Sequence, residues 1–211
     1  MLGINVGHLI GYQKLKERLF DFFEAGIHYL SVYALSLENL RKRSEEEIKY
    51  IFRIILDAVD AVVKEATVKE EKVNFNVIGR IHLLPEEVRN KIKELIDFTK
   101  DNDQNFINLC IMYDGQEEIV DAVKEIIKNG VKEEEINKEI IKKHLYTRNF
   151  PEVDYIIRTG MEDGARISGF LLWDASYAEF KFRSDLWPDY SKEMVIEDLK
   201  DFCNRVRRKG K

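Results

Sequence analysis

Residues 157–168 read IRTGMEDGARIS and set two arginines and a serine hydroxyl around a glycine-containing loop. Glycine lets backbone N–H groups turn toward a ligand, and an arginine fork matches the oxygens of a phosphate. Arg158 is the most specific part of the pattern, because it closes the apolar run DYIIR, where a solvated charge has no obvious reason to stand. The chemistry open to such a loop is anion binding, and two fixed cations with a hydroxyl suit a doubly charged phosphate group.

A second polar cluster lies in SLENLRKR (36–43), which joins Ser36, Glu38 and Asn39 to Arg41, Lys42 and Arg43. On composition alone it reads equally well as a charged loop that caps the next helix. His8 follows Gly7 just before a helical pattern, where it could serve an anion site, whereas His28, His82 and His144 lack metal-ligand spacing. GxGxxG, GxxxxGK[ST], GxSxG and CxxC are all absent, so the dinucleotide, P-loop, hydrolase and zinc readings have no support. The tail RVRRKGK (205–211) on its own complements the C-terminal dipole of a helix.

Alternating elements must position these groups. Helical spacing of Leu15, Leu19, Phe22 and Phe23 predicts a helix over 11–24, stopped by Gly26. YLSVYAL (29–35) is a strand, and Ser44 with Glu47 predicts a capping box opening a helix over 45–66. Strand 73–79, Pro85 at a first helical position, a helix to 100 and strand 105–113 follow, then a helix after Gly115. A helix at 133–145, a strand at 154–158 and a helix at 191–207 complete the pattern. Strands alternating with helices imply one α/β domain with a mostly parallel central sheet flanked by helices. Ligands in such sheets gather at the carboxyl ends of strands, which is where 36–43, 114–115 and 158–168 fall. The helix over 45–66 carries a broad apolar face from Ile48 to Val63, read as core packing, although a hydrophobic tunnel would use the same residues.

Composition bounds the function. A chain of 211 residues with 45% hydrophobic and 35% charged residues reads as globular and long enough for one sizeable core. A net charge of -5 argues against a general nucleic-acid binder, and no apolar run approaches the roughly 20 residues of a membrane span. Cys110 and Cys203 fall in apolar-periodic segments and are expected to be buried free thiols in a reducing cytoplasm.

Taken in order, GHLIGYQKLK, YLSVYALSLENLRKR, FNVIGRIHLLPEEV, MYDGQEEIVDAV, VDYIIRTG, RISGFLLWDASYAEFKF, DLWPDY and NRVRRKG resemble the cis-prenyltransferases, the family of undecaprenyl and dehydrodolichyl diphosphate synthases. The resemblance implies that fold, and condensation of isopentenyl diphosphate with an allylic diphosphate such as farnesyl diphosphate, with Mg²⁺. It implies that Arg158, Arg166, Ile167 and Ser168 hold the diphosphate of isopentenyl diphosphate, and that Ser36, Leu37, Glu38 and Lys42 line the substrate site. Asn39 would assist proton loss beside the reacting carbons, His8 would approach the allylic diphosphate, and Glu179 would help bind Mg²⁺ from a dimer-related position. Arg208 and Gly210 match an RxG tail that reaches a partner's site, so a homodimer is implied, with peripheral contact at a membrane surface for an apolar product.

The sequence also departs from the family pattern. A first strand ending in DGNRRWA, which binds the allylic diphosphate and supplies a Mg²⁺-binding aspartate, is expected before GHLIG and is read as absent from this chain. Ile4 or a neighbour stands where an arginine is expected, Leu40 replaces an aromatic residue, and the arginine that follows is Lys42. The family's GGR is Asp114-Gly115-Gln116, and the loop is about two residues longer than usual, aligning Glu162 or Asp163 with its acidic position. Other classes remain as alternatives: a non-catalytic subunit of a heteromeric enzyme, or a diphosphate-binding module sharing the fold.

Overall fold

The structure, a computed structural model, describes residues 4–161 and 164–206. In chain order the elements are α1 (Ile4–Glu24), β1 (Tyr29–Ser36), α2 (Leu37–Lys42), α3 (Glu45–Lys64), α4 (Ala66–Glu70), β2 (Val73–Ile78) and α5 (Glu86–Thr99). Then come β3 (Asn105–Tyr113), α6 (Gly115–Lys128), α7 (Lys138–His144), β4 (Tyr155–Arg158), β5 (Glu179–Phe182) and α8 (Lys192–Asn204). The strands pair parallel throughout, as an α/β chain with helical crossovers requires.

The ladders form two groups, β1-β3-β2 and β4-β5. Central β3 is almost wholly buried, while β1, an apolar run of the kind expected inside a parallel sheet, is mostly half-buried. The reason is geometric: β1 and β4 are edge strands, and residues along both line the same cavity.

Helix α1 begins before the expected residue 11, because Gly7 and Gly11 sit inside it instead of delaying it. A Cβ on Gly11 would lie 3.5 Å from the Trp187 ring, whose Nε1 donates to the Gly11 carbonyl at 2.9 Å. Gly26 ends the helix in the left-handed region at φ 83°. Helix α3 is shorter than expected, ending at Lys64 before the separate α4, and Pro85 sits at the N-cap of α5. The helix expected at 133–145 divides into a 3₁₀ turn, Glu133–Glu135, and α7. Ser44 caps α3 through Glu47 N–H, but the reciprocal half of the predicted capping box is replaced, since the Glu47 carboxylate turns to His8 and Arg43.

One side of the sheet packs on α3 and α5 through Leu35, Ile51, Val77, Val88, Ile92 and Ile111. At its other end Phe23, Val59, Phe75, Leu95 and Ile107 close the same layer. A smaller cluster of Ile78, Cys110, Tyr113 and Leu171 seats the segment after residue 168 on the sheet. Cys110 is buried as expected; Cys203 is exposed, because α8 turns Val195 and Asp198 inward and leaves Cys203 on its outer face. Among the described residues no helix is long and apolar enough to cross a membrane.

Candidate active site

The carboxyl ends of β1 and β4 meet at one cavity of about 1460 Å³, whereas the expected third end, Asp114-Gly115 after β3, does not line it. Its interior is apolar: Ile51, Ile55, Val59 and Val62 of α3 face Leu109 and Ile111 of β3. Its polar mouth is lined by Ser36, Asn39, Arg158, Arg166, Ser168 and His8.

The loop after β4 is folded around Arg158. Nη1 donates to the Arg166 carbonyl at 2.8 Å and to Ser168 Oγ at 2.9 Å. Both acceptors are neutral, so the guanidinium charge is not cancelled by these contacts, and Ser168 keeps its own hydroxyl proton for a ligand oxygen. Burial, and then the neighbouring Arg166 guanidinium, lower the Arg158 pKa below the usual arginine value. A cation beside a second cation disfavours the charged form, and an anion placed there would relieve it.

The loop keeps this shape through an unusual backbone. Ser168 has φ 48°, Gly169 77° and Leu171 47°, all in the left-handed region that costs a non-glycine residue about 1–2 kcal/mol. The Gly169 carbonyl accepts from the Gly115 N–H at 3.0 Å, and a Cβ on Gly115 would lie 2.3 Å from that oxygen. This explains why Asp114-Gly115-Gln116 retains one glycine. Asp114 takes the N-cap of α6 instead, accepting from the N–H groups of Gln116 and Glu117.

Across the mouth, the register of β1 on β3 shifts around Leu35, which drives Leu35 into the core and leaves Ala34 exposed. Ser36 then caps α2, its Oγ accepting from the Asn39 N–H at 3.0 Å, so SLENLRKR is a short helix rather than a loop. Asn39 lies on the cavity. Leu37 does not: its side chain is buried in the core beside Leu35 and Ile51. Lys42 pairs with Glu38 at 2.5 Å on the exposed face of α2, and that bond lowers the Glu38 pKa. His8 Nε2 meets Glu47 at 3.0 Å, and Arg43 reaches the same carboxylate at 3.2 Å, tying α1 to the start of α3 at the cavity mouth.

The remaining expected residues lie elsewhere. Ile167 lines the cavity. Glu179 opens β5 opposite Tyr155, at the amino end of the ladder whose carboxyl end carries Arg158, and its carboxylate receives Arg205 Nη1 at 2.9 Å. Arg208 and Gly210, with Glu162 and Asp163, fall outside the described residues. Among the described residues no three His, Cys, Asp or Glu side chains converge as a metal cage. Mg²⁺ commonly takes only one or two carboxylates and completes its shell with substrate phosphates and water.

Two residues not assigned from the sequence line this cavity, Tyr33 and Arg43, and a third, Gly115, supports its loop from α6. Tyr33 was hidden in an apolar run, Arg43 in a charge cluster, and Gly115 looked like an ordinary helix start.

Fold and site together define a class: a parallel α/β protein that sets cations and hydroxyls at strand ends above an apolar cavity. Comparisons with known proteins narrow it. The family described as "Putative undecaprenyl diphosphate synthase" matches residues 2–210. Over 211 residues the chain is 39% identical to the tritrans,polycis-undecaprenyl-diphosphate synthase (geranylgeranyl-diphosphate specific) of Methanocaldococcus jannaschii, covering 97% of this chain and 74% of that protein. Isoprenyl transferase 1 of Corynebacterium diphtheriae is 36% identical, with 97% and 78% covered. A crystal structure of a "probable undecaprenyl diphosphate synthase" from Campylobacter jejuni superposes with TM-score 0.84 at 32% identity, covering 96% of this chain and 92% of that one. Lavandulyl diphosphate synthase from Lavandula x intermedia, in complex with dimethylallyl diphosphate, gives TM-score 0.91 at 27% identity, with 99% and 90% covered. The chain belongs to the undecaprenyl diphosphate synthase family of cis-prenyltransferases. It is accordingly a prenyltransferase of the cis chain-elongating kind, and the non-catalytic alternatives are not favoured.

Proposed function

We propose that the loop of Arg158, Arg166 and Ser168 holds the diphosphate of isopentenyl diphosphate while the apolar cavity receives the growing prenyl chain. The observation that carries this reading is Arg158 itself, a half-buried cation on the cavity that donates to two uncharged oxygens of its own loop. Fixed cations suit a diphosphate because they are already in place when charge builds on it. Ile167 packs beside the same group. Ser36, Glu38 and Lys42 supply the facing wall, with Leu37 contributing its backbone alone. Asn39, at the end of β1, would assist loss of the proton from the new carbon–carbon bond, and His8 with Arg43 would approach the allylic diphosphate.

The allylic primer is proposed to be a C15 or C20 prenyl diphosphate, farnesyl or geranylgeranyl, the latter because relatives such as the Methanocaldococcus jannaschii protein carry that specificity in their names. The edges of β1 and β4 that face the cavity are where a further strand bearing a DGNRRWA-type end would complete the sheet. Mg²⁺ would neutralise diphosphate oxygens, with Glu179 and the 208–210 tail presented by a second copy in a homodimer. An apolar product argues for work in the cytoplasm beside a membrane surface.

The test is incorporation of labelled isopentenyl diphosphate into organic-extractable product, with each primer in turn and Mg²⁺. Elongated product with at least one primer is expected, and its loss in Arg158→Ala and Arg166→Ala. Incorporation undiminished in both variants would overturn the assignment of the loop.

A further inference from the structure

Behind the loop stands Tyr33, in the middle of β1. Its hydroxyl lies 3.4 Å from the Ser168 carbonyl and 3.2 Å from the Tyr113 carbonyl, and it donates between them. Its ring stacks on Phe170 at 5.0 Å with planes 14° apart, and meets Tyr113 edge-on at 5.8 Å. These contacts bracket the strained stretch: the hydroxyl meets residue 168 and the ring meets residue 170, on either side of Gly169.

The left-handed φ of Ser168 matters because it decides which way Oγ points. At that φ the side chain faces Arg158, and the carbonyl points back to β1, where Tyr33 receives it. A conformation disfavoured by L-residues persists only where surrounding contacts over-determine it. Two such contacts are present: Gly115 N–H on the Gly169 carbonyl from α6, and Tyr33 on the Ser168 carbonyl from β1. The first is backbone to backbone and fixes where the loop lies. The second is made by a side chain and fixes how Ser168 is turned.

We infer that Tyr33 is a positioning residue, whose hydroxyl holds Ser168 turned toward Arg158 so that the loop is preorganised for a diphosphate. This rests on the proposed binding of isopentenyl diphosphate by that loop. Burial and then the nearby Asp114 carboxylate push the Tyr33 pKa up to about 12, so the hydroxyl remains a donor throughout the neutral range.

The discriminating variant is Tyr33→Phe, which keeps the ring stack and removes only the hydroxyl. Binding of isopentenyl diphosphate and of inorganic pyrophosphate is measured by calorimetry on the intact chain, alongside steady-state kinetics and thermal unfolding. The expected result is about 3- to 10-fold weaker binding of both probes, which is what one neutral hydrogen bond is worth. The KM for isopentenyl diphosphate should rise to match, while the KM for the allylic substrate and kcat change by no more than about twofold and Tm stays within about 3 °C, equivalent to roughly 1 kcal/mol. Because Tyr33 acts through Ser168, adding Tyr33→Phe to Ser168→Ala should weaken binding no further than Ser168→Ala alone.

Unchanged binding in Tyr33→Phe, an equal rise in both KM values, or full additivity with Ser168→Ala would each overturn the positioning role. The larger reading fails separately. If the unaltered chain binds neither probe, or if Arg158→Ala leaves binding intact, the loop is not the diphosphate site and the role of Tyr33 falls with it. If Arg158→Ala weakens binding and Tyr33→Phe does not, only the positioning role is lost.

Discussion

Two arginines end neighbouring strands and have opposite surroundings. Arg158 closes β4, and Arg183 directly follows β5, its N–H donating to the Arg158 carbonyl at 2.9 Å. Arg183 is saturated with carboxylates: it grips both oxygens of Asp198, reaches Glu197 at 2.8 Å, and touches Asp185 at 3.3 Å. The hydrogen bonds to Asp198 raise its pKa, whereas burial and Arg166 lower that of Arg158. One guanidinium has its charge answered from within the chain, and the other has been given neutral acceptors that orient it and leave the charge available. The difference separates a cation committed to the fold from one that, on the proposed reading, is kept for a ligand. Conversely, what makes Arg158 useful gives the fold little, and what makes Arg183 stabilising leaves it little to offer an anion.

The contrast breaks first at Asp198, which is fully buried. Its carboxylate takes Arg183 and also the Tyr190 hydroxyl at 2.8 Å. Asp198→Ala strands both, and removal of one partner from a buried ion pair costs about 3–5 kcal/mol. Denaturant unfolding should report that loss; a change under about 1 kcal/mol would mean that the cluster is not structural. Arg158→Ala should do the reverse. Stability is expected to stay within about 0.5 kcal/mol, as for a residue that meets no carboxylate among the described residues. Diphosphate binding should weaken by about 1.5–3 kcal/mol for a lost charge-assisted contact. Arg158→Lys keeps the charge and loses the fork, so calorimetry should place it between the two. A Lys variant that binds as well as the unaltered chain would show that charge alone is read and that the geometry around Ser168 is incidental.

How much of this contrast was legible in the sequence follows from where each partner lies. Arg158, Arg166 and Ser168 fall within one short loop after an apolar run, so their association needed no tertiary information. Arg183 reads FKFRSD, with nothing local to mark it as structural, because Asp198 and Glu197 arrive from α8, fixed by how that helix docks. Tyr33 and Gly115 escaped for the same reason: each matters through the Ser168–Gly169 backbone, more than fifty residues away in sequence. Periodicity located six helices and four strands that carry most of the core. It missed α2, α4 and β5, which are six, five and four residues long and give a period little room to show. Leu37 was drawn into the site by alignment with its neighbours, yet the β1 bulge turns it into the core. Glu47 was assigned to a cap by spacing and is instead claimed by His8 and Arg43, which only the docking of α1 brings within reach.

A third arginine sharpens the comparison with a smaller effect. Arg80 follows β2 as Arg158 closes β4, and by position it is an equal candidate for an anion site. It is answered, however, by Asp121 at 2.8 Å and Glu117 at 2.7 Å, and Tyr146 donates to Asp121 as well. The hydrogen bond from Arg80 is the main cause that holds the Asp121 pKa down to about 2, below the usual carboxylate range. A carboxylate whose folded pKa is depressed contributes stability that is complete above its unfolded value near 4 and is lost as pH falls through about 2. Asp121 is partly solvated, so after screening the contribution is about 1–2 kcal/mol. Glu118 has the opposite sign: burial raises its pKa, so its ionisation weakens the fold as pH rises, above the window in which Asp121 titrates. The two are separated by comparing variants rather than by the unaltered chain. Arg80→Met should remove the loss of stability between pH about 4 and 2, whereas Arg158→Met should leave that slope in place, since no carboxylate answers it in the contacts that hold its loop. Equal acid slopes in the two variants would show that the cations after β2 and β4 are not differently committed, and the distinction between holding the fold and holding a ligand would have to be drawn elsewhere.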